Sequence, residues 1–354
     1  MYNYMKMLML FLLSAYFIPY SLAQTPTPSP IQEQLNVILN FVVFGVDRDN
    51  RRYSAIRNYG TELLYQIPDD LYIFYTYDRQ TYRVNVTPLV EEAARYWNRF
   101  LSVRGFQIRR AYTGGRSNFI IRTIPNTQAQ HLRVGDSVIP LAFTAAPNSV
   151  GLAAGRTILP DILSEPGMYI TENRDISPET RRRIGIIFGN NLDTSFADMT
   201  YSMILHEFGH ALGLAHPEIA WGTRANNIPL QSGAYYDVFY RTRRFIIVRG
   251  NNDNVAPIML SDQMDYLSLL RLLHRDRFIT REDIVASPNE TRLLARFLGD
   301  ECSFSGIQAR TVLTQAIPHH SRFVEEQSPD CSELRTVFPI GEMMTPVYQM
   351  VLSD

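Results

Sequence analysis

The spacing of apolar positions changes along the chain. Leu71 to Tyr75 is aromatic and β-branched and predicts a strand. Val90, Ala93, Ala94, Trp97 and Leu101 recur at intervals of three and four, so Val90 to Leu101 is an amphipathic helix. Two more strands follow, at Phe106 to Tyr112 and Phe119 to Ile124. Leu141 to Ala146, between Pro140 and Pro147, and Met168 to Thr171 are short apolar runs of strand type. Beyond residue 172 the helical period takes over, at Ser195 to Leu212, Met264 to Leu273 and Arg281 to Phe297. Strands ahead of helices predict an α+β domain, and no internal repeat suggests a solenoid.

Both ends of the chain depart from that pattern. Lys6 precedes an apolar run, Met7 to Ile18, that is too short to span a bilayer well. Ser21 and Ala23 follow as small residues, so residues 1–23 read as a secretory signal peptide cut after Ala23, with an uncleaved anchor as the alternative. Gln24 to Pro30 is a proline-punctuated linker, and residues 31–46 are apolar enough to pack. Residues 24–58 are therefore expected to be linker and pro-segment, residues 59–300 the main folded domain, and residues 301–354 a tail. Hydrophobic residues make up 45% of the chain and the formal net charge is -1, which excludes disorder and gives no field for nucleic acid. No stable membrane insertion is expected after signal cleavage.

The chemistry is concentrated in His206 to His216, reading HEFGHALGLAH. At the helical period His206 and His210 fall about 40° apart on one face, a turn from each other, with Ile204, Leu205, Phe208, Ala211 and Leu212 opposite. Gly213 can take the left-handed conformation that ends the helix, and the turn brings His216 towards the same point. Three neutral imidazoles around one tetrahedral ion leave a fourth position open, the pattern of a catalytic zinc site. Glu207 lies at the edge of that face, poorly placed as a ligand but able to reach a water on the metal.

This stretch matches the metzincin zinc-peptidase signature at every defining position, and the chain resembles a matrixin-type member over roughly residues 60 to 300. The resemblance implies a twisted sheet with the active-site helix beneath it and a smaller C-terminal subdomain. It implies that His206, His210 and His216 hold Zn2+ and that Glu207 is the general base and acid. It also implies a methionine under the zinc. Ala256 to Met259 resembles that turn, with Met264, followed by Asp265 and Tyr266, as a rival of the astacin branch, and Ile279 to Ile284 resembles the start of the closing helix. The chain departs from the matrixin pattern in the long connection from His216 to Met259, which implies an insertion around Trp221 to Asn254. No cysteine precedes Cys302, so a cysteine switch is excluded, and His131 near Asp136 cannot build the family's second, structural zinc site. Calcium (Ca2+) stays open, because Asp and Glu occur singly along the loops.

The function these observations imply is that of a secreted zinc-dependent endopeptidase, a hydrolase of extracellular protein or peptide substrates, with a zinc-activated water and Glu207 as base. A catalytically silent zinc-binding module that binds extracellular proteins is the alternative. An extended substrate would add to a sheet edge, for which Leu141 to Thr144 is the candidate, open between edge and interior. Cys302 and Cys331 are expected to pair in an oxidising compartment, with a free thiol or an intermolecular bridge as the alternative. Asn85-Val86-Thr87 and Asn289-Glu290-Thr291 are glycosylation triplets. His274, His319 and His320 read as solvated residues. Phe44 to Asp47 loosely resembles the aspartate switch of the astacin branch, with an ordinary turn as the alternative for Asp47 and with Arg48, Arg51 and Arg52 as a stretch for activating cleavage.

Overall fold

The computed structural model describes residues 41–46, 59–112, 114–126, 142–145, 165–217, 244–249, 255–260, 262–274 and 276–298. Residues 1–23, where a signal peptide is expected, and Asp47, Arg48, Arg51, Arg52, His131, Asp136, Cys302, Cys331, His319 and His320 lie outside them. Along the chain come β1 (Phe41–Val46), β2 (Glu62–Gln66), β3 (Tyr72–Tyr77), β4 (Gln80–Asn85), α1 (Thr87–Leu101), β5 (Gln107–Arg110), β6 (Phe119–Ile124) and β7 (Ala142–Ala145). They are followed by β8 (Gly167–Thr171), β9 (Asn173–Asp175), α2 (Pro178–Phe188), α3 (Leu192–Ala211), β10 (Leu214–Ala215), β11 (Arg244–Arg249), α4 (Gln263–Leu273) and α5 (Pro288–Leu298).

The architecture is mixed: a five-stranded sheet ordered β5-β2-β6-β8-β7, two three-stranded sheets, and helices packed against them. In the large sheet every neighbouring pair is parallel except β7, which runs antiparallel to β8 at the edge. The stretch Ala142–Ala145 is thus an edge strand among the described residues. Alternation puts Leu63 and Tyr65 of β2 and Phe119 and Ile121 of β6 into the core. There Tyr65 and Phe119 meet Phe208 of α3, with ring centroids 6.1 and 6.4 Å away. Trp97 of α1 is fully buried and donates from Nε1 to Leu205 O at 3.1 Å, fixing α1 against α3.

A second sheet, β4-β3-β9, covers the N-terminal half of α3. Tyr75 stacks on Phe196 at 4.5 Å and its hydroxyl meets Thr200 Oγ1 at 2.9 Å. Asp78 and Arg79 both take positive φ (48° and 62°), which suits the right-handed twist of the β3–β4 hairpin. The third sheet, β10-β1-β11, sets the early segment Phe41–Val46 between the residues after α3 and a strand from the long connection.

Structure and sequence part at the C-terminal helix. The run expected at Arg281 to Phe297 is divided into a 3-10 turn, Arg281–Asp283, and α5, which begins at Pro288. Pro288 has no N–H to continue a preceding helix. Ser287 and Glu290 then close a reciprocal cap: Glu290 N donates to Ser287 Oγ at 3.2 Å and Ser287 N to Glu290 Oε2 at 2.7 Å. Asn289 is fully buried in this first turn and its Oδ1 accepts from Arg292, so this triplet is a helix start with no room for a glycan; Asn85 is half-buried. Helix α2 was not foreseen, because Arg181 to Arg183 interrupt its apolar period, although Ser177 caps it and Pro178 opens it. No helix among the described residues is long and apolar enough to cross a membrane.

Candidate metal centre

Helix α3 supplies two of the three histidines. Asn191 caps it through Oδ1, and it is buried almost continuously from Ser195 to Ala211, so even its polar face is enclosed. His206 and His210 lie one turn apart with ring centroids at 4.6 Å. After Ala211 the chain turns through Gly213, whose φ of 96° is one that a side chain would strain. Leu214 and Ala215 form the short strand β10, and His216 then returns to 4.7 Å from His210 and 5.3 Å from His206, centroid to centroid.

The ligand atoms converge. His216 Nε2 stands 3.0 Å from His210 Nε2 and 3.3 Å from His206 Nε2. Two nitrogens bound to one tetrahedral ion at ordinary zinc distances stand roughly 3.3 Å apart, so the spacing fits a shared ion. Among the described residues, these three are the group of metal-ligating side chains close enough to hold one. His206 is buried, while His210 and His216 are half-buried.

The far ring nitrogens fix which face of each imidazole is free. His206 Nδ1 lies 2.8 Å from Ile258 O and 2.8 Å from the Gln263 side-chain amide, and His210 Nδ1 lies 2.9 Å from Leu214 O; with its proton on Nδ1 each ring would donate to its carbonyl and keep its lone pair on Nε2. Burial drives His206 down to about 4, and burial together with the neighbouring His206 holds His216 well below its ordinary value. Neutral imidazoles are what a metal needs.

The turn that faces His206 Nδ1 is itself held. Gln263 Nε2 donates to Ile258 O and Leu260 O, both at 3.1 Å. From α5, the Glu290 carboxylate accepts Ile258 N at 3.1 Å and Met259 N at 3.0 Å. Met259 packs against Gly209, the residue before His210, where a Cβ would overlap its sulfur. Its rival Met264 opens α4, and Tyr266 is fully buried with its hydroxyl bound to Val285 O and Val285 N, so this tyrosine is not free to approach the histidines. His274 ends α4, half-buried.

Glu207 is 5% exposed and its Oε2 has no hydrogen-bond partner in the protein. Burial pushes its carboxyl up to about 8. The Thr144 hydroxyl of β7 donates to the Glu207 carbonyl at 3.0 Å, which ties the edge strand to α3 beside the histidines. Thr144 belongs to the expected edge strand, but its tie to Glu207 escaped the sequence reading, as did the roles of Gln263 and Glu290. Only Glu290 had a local signal, the Ser-x-x-Glu cap beginning at Ser287.

No family model matches the chain, and no curated protein matches it. Among solved structures it is similar to a chain of the GM1 bound form of the ECX AB5 holotoxin, at 19% identity and a TM-score of 0.48, over 74% of this chain and 90% of that one. A likeness at that level bears on neither activity nor binding.

Proposed function

We propose that the protein is a zinc-dependent endopeptidase of metzincin type, with His206, His210 and His216 as zinc ligands and Glu207 as the proton carrier. The observation that carries this reading is the meeting of three Nε2 atoms 3.0 to 3.3 Å apart along the His216 edge, with His206 and His210 orientated by carbonyls behind them. The donor set favours zinc, since three imidazoles around an incomplete tetrahedron are the ligands of a catalytic zinc site. When bound there, zinc supplies a Lewis acid that makes water acidic near neutral pH and polarises a carbonyl.

The remaining steps belong to the chain. Glu207 accepts the proton of the attacking water and returns it to the leaving amine. Its unpartnered, buried Oε2 supports that role, because a buried carboxyl oxygen without a structural partner is costly unless it is used. It also weighs against the silent zinc-binding module. A cation beside Glu207 would favour its charged form and offset the rise caused by burial. Among the described residues β7 is the edge strand, and tied to α3 through Thr144 it offers main-chain groups to an extended peptide passing the histidines. On this reading residues 1–23 are the secretion signal and the protein acts outside the cell.

Incubating the purified chain with a denatured protein, with and without a zinc chelator, tests the proposal. Cleavage that stops with the chelator and returns with added zinc is expected. Cleavage that ignores the chelator would contradict it.

A further inference from the structure

We infer that strand β1 is a permanent positioning element of the metal centre and not a removable pro-segment; the inference rests on the reading of the three histidines as a metal site. Strand β10 has two residues, Leu214 and Ala215, and among the described residues its strand partner is β1, through Phe44↔Leu214 and Val43↔Ala215. Two ligands depend on those residues. The Leu214 carbonyl orients His210 at 2.9 Å, and Ala215 leads directly into His216. A two-residue strand has too few contacts of its own to fix a carbonyl, so the precision at His210 and His216 comes from the strand laid along it.

Strand β1 is well anchored for that task. It pairs antiparallel with β11 at six positions, from Phe41↔Arg249 to Val46↔Arg244, and Val42 is 3% exposed. Continuing the β1–β10 register sets Val42 level with His216. As the central strand of three, β1 satisfies main-chain groups on both sides, and its departure would strip β10 and β11 of their ladder at once. The strand passes His216 at its Phe41 end and leaves the ladder at Val46, the end towards Gly213.

The experiment uses the full chain with a site-specific protease sequence inserted between Asn50 and Arg51, and Co(II) as the probe, read by its visible absorption. After cutting, the fragment ending at Asn50 should remain with the rest of the protein on gel filtration, and the Co(II) spectrum should be unchanged. Val43→Pro and Phe44→Pro each remove one ladder N–H, one towards β10 and one towards β11. The variant facing β10 should bind Co(II) about tenfold or more weakly, the loss usual when a group orientating a ligand is disturbed, with an unchanged far-UV spectrum. Release of the fragment with Co(II) binding intact, or cleavage activity gained on its release, would overturn the inference. So would wild-type Co(II) affinity in both proline variants. An intact chain that takes up no Co(II) would overturn the metal reading and this inference together.

Discussion

Gly209 and Met259 meet so closely that a methyl group at the contact would have to displace the buried methionine sulfur. Gly209→Ala should cost about 1 to 3 kcal/mol through overpacking, read as a lower denaturant midpoint with an unchanged slope. Met259→Ala costs stability of its own, about 2 to 5 kcal/mol for a buried side chain, but combined with Gly209→Ala the two losses should sum to less than additively, because it removes the atom the new methyl strikes. Additive destabilisation by the two changes would show that the contact is not the cause. At this scale the three histidines were legible and their supports were not. His206 and His210 are fixed by the helical period alone, and Gly213 signals the turn to His216 by its freedom at positive φ. Thr144, 63 residues from Glu207, and Glu290, 31 residues from Met259, reach the site through tertiary packing that no local pattern encodes.

Elements act on the site through their ends. The first turn of α5 holds the Met259 turn by one carboxylate, so Glu290→Ala strands Ile258 N, Met259 N and Ser287 N together. That loss should reach about 3 kcal/mol or more and weaken zinc affinity, because Ile258 O also orients His206. Calorimetry with a parallel metal titration checks both. A stability loss with wild-type zinc affinity would show that the turn does not communicate with the ligand. The 3-10 turn ahead of α5 carries a pH signature. Arg277 grips both oxygens of Asp283, and Thr280 donates to it as well, which hold that carboxyl well below its ordinary range. A depressed carboxylate stabilises the fold above its unfolded value, and the contribution drains away as pH falls through the folded one. The stability gap between the wild type and Asp283→Asn should therefore narrow below about pH 4, in thermal melts taken across the acid range. The C-terminal helix was misread for a local reason: Pro288 stops a period that the apolar residues alone would carry from Arg281 to Phe297.

Over the whole molecule, strands with strong apolar runs were visible in sequence. Phe119–Ile124 coincides with its expectation, and Tyr72–Tyr77 and Gly167–Thr171 differ only at their ends. Strands that depend on a partner were not visible. Gln80–Asn85 is polar and forms because the Asp78-Arg79 turn folds it onto β3, and Phe41–Val46 reads as a generic apolar run until β10 and β11 flank it. The α+β order survives in the large sheet and in α3 to α5, while β10 and β11, both after α3, join β1 in a small sheet. All three layers converge on one centre, where sheet, edge strand and closing helix each touch α3 or the turn beneath it. The most direct test of that centre is the zinc content and peptide-cleavage rate of Glu207→Ala, measured on the same preparation beside the wild type. One zinc per chain in both proteins, with cleavage lowered by about 10²- to 10⁴-fold in the variant, is the expected result. An undiminished rate in Glu207→Ala, or a wild type that carries no zinc, would contradict it.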